Sequence, residues 1–222
     1  MMRDRSFANK IVAEHYERTR PSEWFDTLYR AAAADPTRIP WADQRPNPNL
    51  LAWRAAHPGE VTGSGLVIGC GLGDDAEELA RWGLKVTAFD VSPTAIHWCV
   101  SRFPGSPVEY RVTDLFNAPA EWTGAFDFVL ESYTLQALPP EHRTRLLETV
   151  SSFVAPQGRL LVICRARDED DPPGDLPWPL TKYELLAVER HGLRVREFED
   201  YPDTAEEPPV RRFRALFERG GQ

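Results

Sequence analysis

The stretch that decides the fold is Leu66-Val67-Ile68-Gly69-Cys70-Gly71-Leu72-Gly73. Its apolar half predicts a buried strand, and its three alternate glycines permit a tight turn in which a ligand can approach the backbone. A helix is predicted from about Asp74, because acidic residues crowd the first turns, where the helix dipole favours negative charge. The stretch therefore predicts a ligand site at a strand–turn–helix junction, where N–H groups of the helix start point at the ligand.

Short apolar strands alternate with helical patterns from about residue 65 onward. This alternation predicts an α/β, Rossmann-like fold with a mostly parallel sheet and helices on both faces. The predicted strands cover residues 66–68, 85–89, 108–112, 126–130, 159–164, 193–198 and 212–217. A proline-rich loop joins the last two strands, which favours an antiparallel edge over another helical crossover. Residues 1–58 are interpreted as a helical, loop-rich cover or lid, and residues 59–222 as the main domain.

Composition argues against several classes of function. The 222 residues are 42% hydrophobic, which suits a single globular domain with a sizeable core. A net charge of −8 argues against a nucleic-acid partner, and we interpret Arg211, Arg212 and Arg214 as lying on the solvent-exposed faces of strands. Three scattered cysteines predict a reducing, cytoplasmic location, and no cluster has the spacing of metal ligands. We expect no signal peptide, no membrane span, and a monomer or homodimer.

Acidic residues follow three successive predicted strands: Asp90, Asp114 and Glu131. Ligands in open α/β sheets bind outside the carboxyl ends of the strands, near the point where the strand order reverses. The two oxygens of Asp90 can accept hydrogen bonds from both hydroxyls of a ribose, and Asp114 can accept from an adenine amino group beside the Leu115 amide. Glu131 lies where a second substrate would sit. Helix capping by Asp114 and simple exposure of Glu131 are the alternative interpretations.

The glycine stretch by itself leaves the cofactor open. Gly71-x-Gly73-x-x-Ala76 also fits the dinucleotide pattern, and such a turn can be purely structural. Two further stretches narrow the choice: Val86-Thr87-Ala88-Phe89-Asp90-Val91-Ser92 and Phe126-Asp127-Phe128-Val129. Together with the glycine stretch and Pro156-Gln157-Gly158-Arg159-Leu160, they resemble successive motifs of the class I S-adenosylmethionine-dependent methyltransferases. The resemblance covers roughly residues 41–219.

This resemblance implies S-adenosylmethionine as the methyl donor, a seven-stranded sheet with an antiparallel last strand, and an N-terminal lid over the cofactor. It assigns cofactor contacts to the positions that match the motifs: Trp41, Gly69, Cys70, Gly71, Asp90, Val91, Asp114, Leu115 and Glu131. Residues 69–75, 137–141 and 39–41 are further similar to the thiopurine and halide methyltransferase group. Two positions depart from these patterns. Many class I enzymes carry an acidic residue where this chain has Val67, and the thiopurine and halide group commonly has a proline where this chain has Ile68.

The resemblance implies methyl transfer to a small-molecule acceptor. The sulfonium already activates the carbon, so the enzyme has mainly to align the acceptor and exclude water. A thiol or other soft nucleophile needs no strong base, whereas an alcohol or amine often needs one nearby. Glu131 and Tyr133 are the predicted catalytic residues, because the end of the fourth strand faces the methyl group. We predict that three aromatic rings line the pocket of a flat or apolar acceptor: Trp24, Phe25 and Trp178. Arg165 is the predicted contact for an anionic acceptor.

Three alternatives stay open. O- or N-methylation of a natural product is the nearest of them. A nicotinamide-dependent oxidoreductase would need a hydride-transfer site, and the sequence has no Tyr-x-x-x-Lys pair. A nucleoside-binding regulatory module could keep the fold without turnover, and observing methyl transfer to any acceptor would eliminate it.

Overall fold

The computed structural model of the chain describes residues 6–15 and 21–221; residues 1–5 and 16–20, which belong to the predicted cover, and residue 222 lie outside the described residues. One sheet is built from the strands β1 (Ser64–Ile68), β2 (Lys85–Asp90), β3 (Glu109–Val112), β4 (Phe126–Ser132), β5 (Val154–Arg165), β6 (Leu193–Asp203) and β7 (Val210–Arg219). Their order across the sheet is β3-β2-β1-β4-β5-β7-β6. The order reverses between β1 and β4, and α/β sheets bind ligands at the carboxyl ends beside such a point.

The first five strands pair in parallel, and β7 runs antiparallel between β5 and β6. The predicted Rossmann-like sheet of seven strands, with its last strand antiparallel, is therefore confirmed. The antiparallel strand nevertheless lies inside the sheet, and β6 forms the edge. The reason is burial: β7 carries Phe213, Ala215 and Phe217, which need cover, whereas β6 carries many exposed charged side chains that suit an edge.

Helices cover both faces of this sheet. The described residues form α1 (Ser6–His15), α2 (Trp24–Ala32), α3 (Pro48–Ala56), α4 (Asp74–Arg81), α5 (Pro93–Arg102), α6 (Arg143–Ser152) and α7 (Lys182–Leu186). One face is packed by α3, α4 and α5, through Trp53, Leu79 and Ile96 among others. The other face is packed by α6 and α7, through Leu146 and Leu185. Within the described part of the chain, no helix has both the length and the apolar character needed to cross a bilayer.

Two predicted helix starts are confirmed by their hydrogen bonds. The Ser92 hydroxyl accepts the N–H of Ala95 at 3.0 Å, and Pro93 supplies the first helical residue of α5. At α7, the Thr181 hydroxyl accepts the N–H of Glu184 while the Glu184 carboxylate accepts the N–H of Thr181, which is the predicted capping box.

Strand β5 begins at Val154, earlier than the predicted residue 159. Its pairing with β4 shifts register between Phe126 and Phe128, because residues 156–158 form an irregularity inside the strand instead of a turn before it. Gln157 has a left-handed φ of +64° there. A Cβ on Gly158 would lie 2.8 Å from the Ala155 carbonyl oxygen, so only glycine fits at this close approach.

The N-terminal cover packs beside the glycine loop. Residues of α1 and α2 form a separate apolar cluster that includes Leu72 of the loop and Ala95 of α5. By contrast, α3 packs into the core of the sheet through Leu50 and Trp53, although the sequence-based division placed it in the cover. In the structure, therefore, the part that covers the loop consists of α1, α2 and the chain leading to α3. The division of the chain into residues 1–58 and 59–222 stays a prediction.

Candidate functional site

The glycine loop lies at the carboxyl end of β1, at the point where the strand order reverses. Gly69, Gly71 and Gly73 have φ angles of +57°, +56° and +88°, a region that glycine adopts without strain. A Cβ at Gly69 would lie 2.3 Å from Thr134 Oγ1, inside the loop that follows β4. The Thr134 hydroxyl donates to the Ile68 carbonyl oxygen at 3.0 Å, which ties the ends of β1 and β4 together.

Asp90 ends β2 directly behind this loop and is buried, with 6% of its surface exposed. Its two oxygens accept backbone N–H groups, from Gly71 at 3.0 Å and from Ser92 at 2.9 Å. Burial raises the pKa of Asp90 to about 6, although these hydrogen bonds favour the ionised form. The carboxylate is ionised at neutral pH, and each oxygen keeps further acceptor capacity for a ligand hydroxyl.

A tyrosine–tryptophan pair covers the loop. Trp41 Nε1 donates to the Tyr29 hydroxyl at 2.8 Å. A Cβ on Gly71 would lie 3.4 Å from that hydroxyl oxygen and 3.8 Å from Trp41 Cδ1, so the pair lies directly over the loop. Tyr29 is buried on α2, whereas Trp41 is 37% exposed. Sequence reasoning named Trp41 and missed Tyr29, because a tyrosine on the apolar face of a helix has the pattern of an ordinary core residue.

Trp24 and Phe25 belong to the same aromatic cluster. Their rings stack with centroids 3.9 Å apart, and the Trp41 ring packs against both, at 6.1 and 5.9 Å. Trp24 is buried and Phe25 is half-buried. A cleft of ≈360 Å³ lies beside the cluster, and Trp24, Asp26 and Val91 are among its lining residues. Val91, which follows Asp90, is thus exposed to a space next to the strand-end acid.

Asp114 follows β3 and lines a second cleft, of ≈340 Å³. One of its oxygens accepts the N–H of Phe116 at 3.0 Å and so caps a short 3₁₀ turn that begins at the buried Leu115. Capping, the alternative interpretation of Asp114, is therefore observed for one of its two oxygens. Ser22 and Glu23 line both clefts, so the segment before α2 lies between the ends of β2 and β3.

Glu131, near the end of β4, has no exposed surface. Its Oε1 accepts the N–H groups of Thr134 and Leu135 at 2.7 and 2.8 Å, and its Oε2 has no hydrogen-bond partner. Burial raises the pKa of Glu131 to about 7, although the two N–H groups and the charge of Arg143 favour the ionised form. The carboxylate is directed at the backbone of the loop after β4 and holds that loop in place.

Tyr133 has a φ of +67°, a region that a tyrosine adopts only under strain and that often marks a functional position. Its ring lies 4.5 Å from the guanidinium carbon of Arg212, and its hydroxyl accepts a hydrogen bond from Asn49 Nδ2 at 3.3 Å. Burial raises the pKa of Tyr133 to about 12. The phenol is therefore protonated at neutral pH and is a hydrogen-bond donor, not a base.

Arg165 and Trp178 are brought together by the buried side chain and backbone of Gln136. Gln136 Oε1 accepts the Arg165 N–H at 2.6 Å, and the Gln136 carbonyl accepts the Trp178 N–H at 2.7 Å. The Arg165 guanidinium pairs with Glu206 at 3.5 Å. Leu176, in the same loop as Trp178, packs against the apolar cluster of the cover. The predicted acceptor contacts thus fall into two groups, one on the cover and one at the end of β5.

Arg212 contradicts the interpretation of the C-terminal arginines as solvent-exposed. Only 3% of its surface is exposed, and its Nε donates to Asp203 Oδ2 at 2.6 Å. The same Asp203 oxygen accepts from Asn49 Nδ2 at 3.0 Å. Because β7 is an inner strand and α3 covers this face, the Arg212 side chain is enclosed, whereas Arg211 on the opposite face is exposed. Sequence reasoning missed this network, since its members come from distant segments of the chain.

Cys70 fills space within the glycine loop. A hydrogen bond with the Cys99 thiol and burial hold the pKa of Cys70 well above its usual range, so the thiol stays protonated. Across residues 6–15 and 21–221, no group of three or more His, Cys, Asp or Glu side chains is placed to bind a metal ion.

Comparison with known proteins gives one family for the centre of the chain. Residues 66–158 match the family described as a methyltransferase domain. A ubiquinone biosynthesis O-methyltransferase of Xanthomonas axonopodis pv. citri (strain 306) is 32% identical over 120 residues, which make up 52% of this chain and 48% of that protein. The matching part of the chain therefore spans about half the length of this relative.

Two solved structures share the fold over most of the chain. One comes from work on the conversion of a disulfide bond into a thioacetal group during echinomycin biosynthesis (TM-score 0.72, 22% identity, 90% of this chain and 93% of that one). The other is the N-methyltransferase NodS from Bradyrhizobium japonicum WM9 in complex with S-adenosylhomocysteine (TM-score 0.65, 22% identity, 87% and 96%). At these identities the likeness shows the fold.

Proposed function

We propose that the chain, whose residues 66–158 match the methyltransferase-domain family, is a class I methyltransferase that transfers the methyl group of S-adenosylmethionine to a small-molecule acceptor. The observation that carries the proposal is the position of Asp90. It is a buried, ionised acceptor at the end of β2, bonded to the glycine loop, at the point where the strand order reverses. This position suits the hydroxyls of a ribose.

The residues around Asp90 fit the rest of an adenosyl ligand. The second oxygen of Asp114 accepts only a long hydrogen bond, from Asn117 Nδ2 at 3.4 Å, and keeps acceptor capacity, so Asp114 and Leu115 are proposed to bind the adenine edge. At Gly71 a Cβ would stand within 4 Å of both Tyr29 and Trp41, so backbone and aromatic rings approach each other closely there. The proposed cofactor contacts are Trp41, Gly69, Cys70, Gly71, Asp90, Val91, Asp114 and Leu115, with Tyr29 added.

Catalysis in this proposal is mainly positioning. S-adenosylmethionine supplies an activated methyl group when it is bound. The chain binds the two reactants, aligns them and excludes water, and well-aligned reactants reach effective concentrations of about 10⁵–10⁸ M. Trp24, Phe25 and Trp41 provide apolar surface on the cover that can exclude water, and their ring faces attract a cation.

The two groups at the end of β4 favour an acceptor that needs no deprotonation by the protein. Glu131 holds the backbone of Thr134 and Leu135, so we assign it a positioning role. Tyr133 keeps its proton at neutral pH and can orient a lone pair of the acceptor by donating a hydrogen bond. A thiol ionises more readily than an alcohol and therefore fits these two roles. The resemblance to the thiopurine and halide methyltransferase group also favours a thiol acceptor.

Transfer to oxygen is the second candidate. It is favoured by the relative from Xanthomonas axonopodis, whose name is that of an O-methyltransferase. In that case the acceptor would be a phenol or another acidic hydroxyl, because Tyr133 keeps its own proton and Glu131 Oε1 is bonded to the backbone of the loop after β4.

The test is incubation of the chain with methyl-labelled S-adenosylmethionine and a matched pair of acceptors, thiophenol and phenol, with the methylated products measured by mass spectrometry. We expect S-methylation to exceed O-methylation at least about tenfold, because the thiolate fraction at neutral pH is far larger than the phenolate fraction. Faster transfer to phenol would favour the second candidate. No transfer to any acceptor, together with no binding of S-adenosylmethionine, would overturn the proposed function.

A further inference from the structure

Two arginines at the carboxyl end of the sheet share one carboxylate. Arg165 is the last residue of β5, and Arg212 lies directly opposite it on β7. Glu206, in the turn between β6 and β7, uses its two oxygens separately: Oε1 contacts Arg212 Nη2, and Oε2 lies 3.5 Å from Arg165 Nη2. A carboxylate therefore bridges the two guanidinium groups.

The two ends of this bridge differ in rigidity. The Arg212 side chain has 3% exposure and is fixed by Asp203, whereas the Glu206 side chain is 40% exposed and belongs to a turn. A second nitrogen of Arg212, Nη1, is buried and has no hydrogen-bond partner. Buried guanidinium nitrogens are nearly always paired, so this donor marks a position for an acceptor atom. The arginine is preorganised and its exposed counter-ion is exchangeable.

The pair lies beside the proposed acceptor site. The Arg212 guanidinium carbon is 4.5 Å from the centroid of the Tyr133 ring, and Tyr133 follows β4 directly. The backbone of Arg165 is held by Gln136, which also holds Trp178. A molecule bound to the two arginines would therefore extend along Tyr133 and the loop that carries Trp178.

We propose that Arg165 and Arg212 form an anion subsite for a carboxylate-bearing methyl acceptor, and that Glu206 occupies this subsite as an internal stand-in for the acceptor carboxylate. The inference rests on the proposed function and names the class of acceptor. When Glu206 turns away, the guanidinium nitrogens that it contacts on Arg165 and Arg212 become available to the carboxylate of an acceptor. A planar guanidinium binds a carboxylate through paired hydrogen bonds, which fits a monocarboxylate better than a neutral group.

The experiment separates anchoring from turnover by using ligands without a reactive atom. Binding of benzoate and of benzamide is measured by calorimetry in the presence of S-adenosylhomocysteine. We expect benzoate to bind at least about tenfold more tightly than benzamide, because charge-assisted hydrogen bonds are stronger than neutral ones. In Glu206→Gln the benzoate affinity should rise about two- to fivefold, the range set by removal of one exposed ion pair.

Two arginine variants complete the binding test. In Arg165→Gln the preference for benzoate over benzamide should fall about tenfold. Arg211→Gln is the matched control: it is an exposed neighbour on β7, paired with Asp168 and Asp200 on the opposite face, and its preference should stay as in the wild type. Arg212→Gln leaves the carboxylate of Asp203 without its cationic partner and is expected to impair folding, so the test rests on the Glu206 and Arg165 variants.

Turnover adds a second readout through the pair 4-mercaptobenzoate and 4-mercaptobenzamide. In Glu206→Gln the KM for the carboxylate should fall relative to that for the amide, so that the ratio of the two KM values changes about two- to fivefold. Equal binding of benzoate and benzamide, with methyl transfer to both thiols intact, would overturn the subsite and leave the proposed function standing. Competition between benzoate and S-adenosylhomocysteine would also overturn it, because the arginines would then hold the cofactor carboxylate.

Discussion

At the residue scale, burial decides what each acid at a strand end can do. Asp90 and Glu131 have little or no exposed surface, and burial raises their pKa values to about 6 and about 7. Protein N–H groups replace water around both oxygens of Asp90 and around one oxygen of Glu131. The two acids differ in what they hold. Asp90 is bonded to the glycine loop, which suits ligand binding, whereas Glu131 is bonded to the loop after β4, which suits positioning.

Replacing Asp90 by alanine removes the proposed acceptor for the ribose hydroxyls and leaves the Gly71 N–H without its partner. We expect the affinity for S-adenosylmethionine to fall at least about tenfold, since hydrogen bonds to a charged group contribute about 1.5–3 kcal/mol. Calorimetry on Asp90→Ala measures the loss, with Asp200→Ala, an exposed acid on β6, as the control. Unchanged affinity in Asp90→Ala would remove Asp90 from the proposed cofactor site.

The raised pKa of Glu131 means that its ionisation opposes folding. The free energy of unfolding of the wild type, relative to Glu131→Gln, should therefore fall as the pH rises from about 4.5 to about 7 and stay level above that. Glutamine keeps an oxygen for the N–H groups of Thr134 and Leu135, so the variant should be the more stable protein at about pH 8, by on the order of 1–3 kcal/mol. Urea unfolding across this pH range measures the difference. A difference independent of pH would contradict the burial of an ionisable carboxyl.

At the scale of elements, side chains at helix starts attach the cover to the sheet. Asp26 on α2 accepts hydrogen bonds from the Ser92 hydroxyl at 2.7 Å and from the Thr94 N–H at 3.2 Å, at the start of α5. Asp75 in the first turn of α4 accepts the N–H of Asn47, just before α3, at 2.7 Å. Both attachments lie next to the glycine loop and Asp90, so the placement of the cover is coupled to the proposed cofactor site.

Asp26→Ala should loosen α2 without disturbing the sheet. Partial burial favours the neutral acid, but the hydrogen bonds from Ser92 and Thr94 hold the pKa of Asp26 below its usual range, so this attachment is made by the ionised form. Loss of this attachment should lower the free energy of local unfolding of α2 by about 1 kcal/mol. Hydrogen exchange over residues 24–32 should therefore become roughly fivefold faster. Asp35→Ala, which removes the cap of the turn at Thr37, is the matched control. Equal exchange in α2 of both variants would contradict the attachment.

At the scale of the whole molecule, the sheet order places the ends of β1, β2 and β4 side by side. The proposed cofactor site is made from the ends of β1, β2 and β3 and from the cover, so it exists only in the folded chain. A ligand that binds only the folded state stabilises it by RT ln(1 + [L]/Kd), which is about 2.7 kcal/mol at a hundredfold excess over Kd.

S-adenosylmethionine and S-adenosylhomocysteine should therefore raise the melting temperature by roughly 5–10 °C at such an excess, a range typical of a chain of this length. NAD should leave it unchanged. Differential scanning fluorimetry with the three ligands measures the shifts. Asp90→Ala serves as the control, and its shifts should be at most about half as large, since a tenfold weaker affinity leaves about 1.4 kcal/mol at the same ligand concentration. A shift with NAD alone would favour the dinucleotide alternative.

The order of elements could be predicted from sequence because it depends on short-range patterns. Alternating strand and helix patterns, the glycine stretch and the acids after each strand are local features, and a parallel sheet follows from them. The start of β5 could not be predicted, since Pro156-Gln157-Gly158 is compatible with a turn before a strand and with an irregularity inside it. Pairing with β4 decides between the two.

The sequence by itself determined the class of fold, the place of the glycine loop and the acids beside it, because hydrophobic periodicity and glycine conformation act over a few residues. Only the tertiary structure decided that Tyr29 lies over Gly71, that Glu131 turns toward backbone, and that Arg212 is enclosed beside Tyr133. These side chains come from distant segments. Their burial, partners and charge states exist only after the strands and helices have packed.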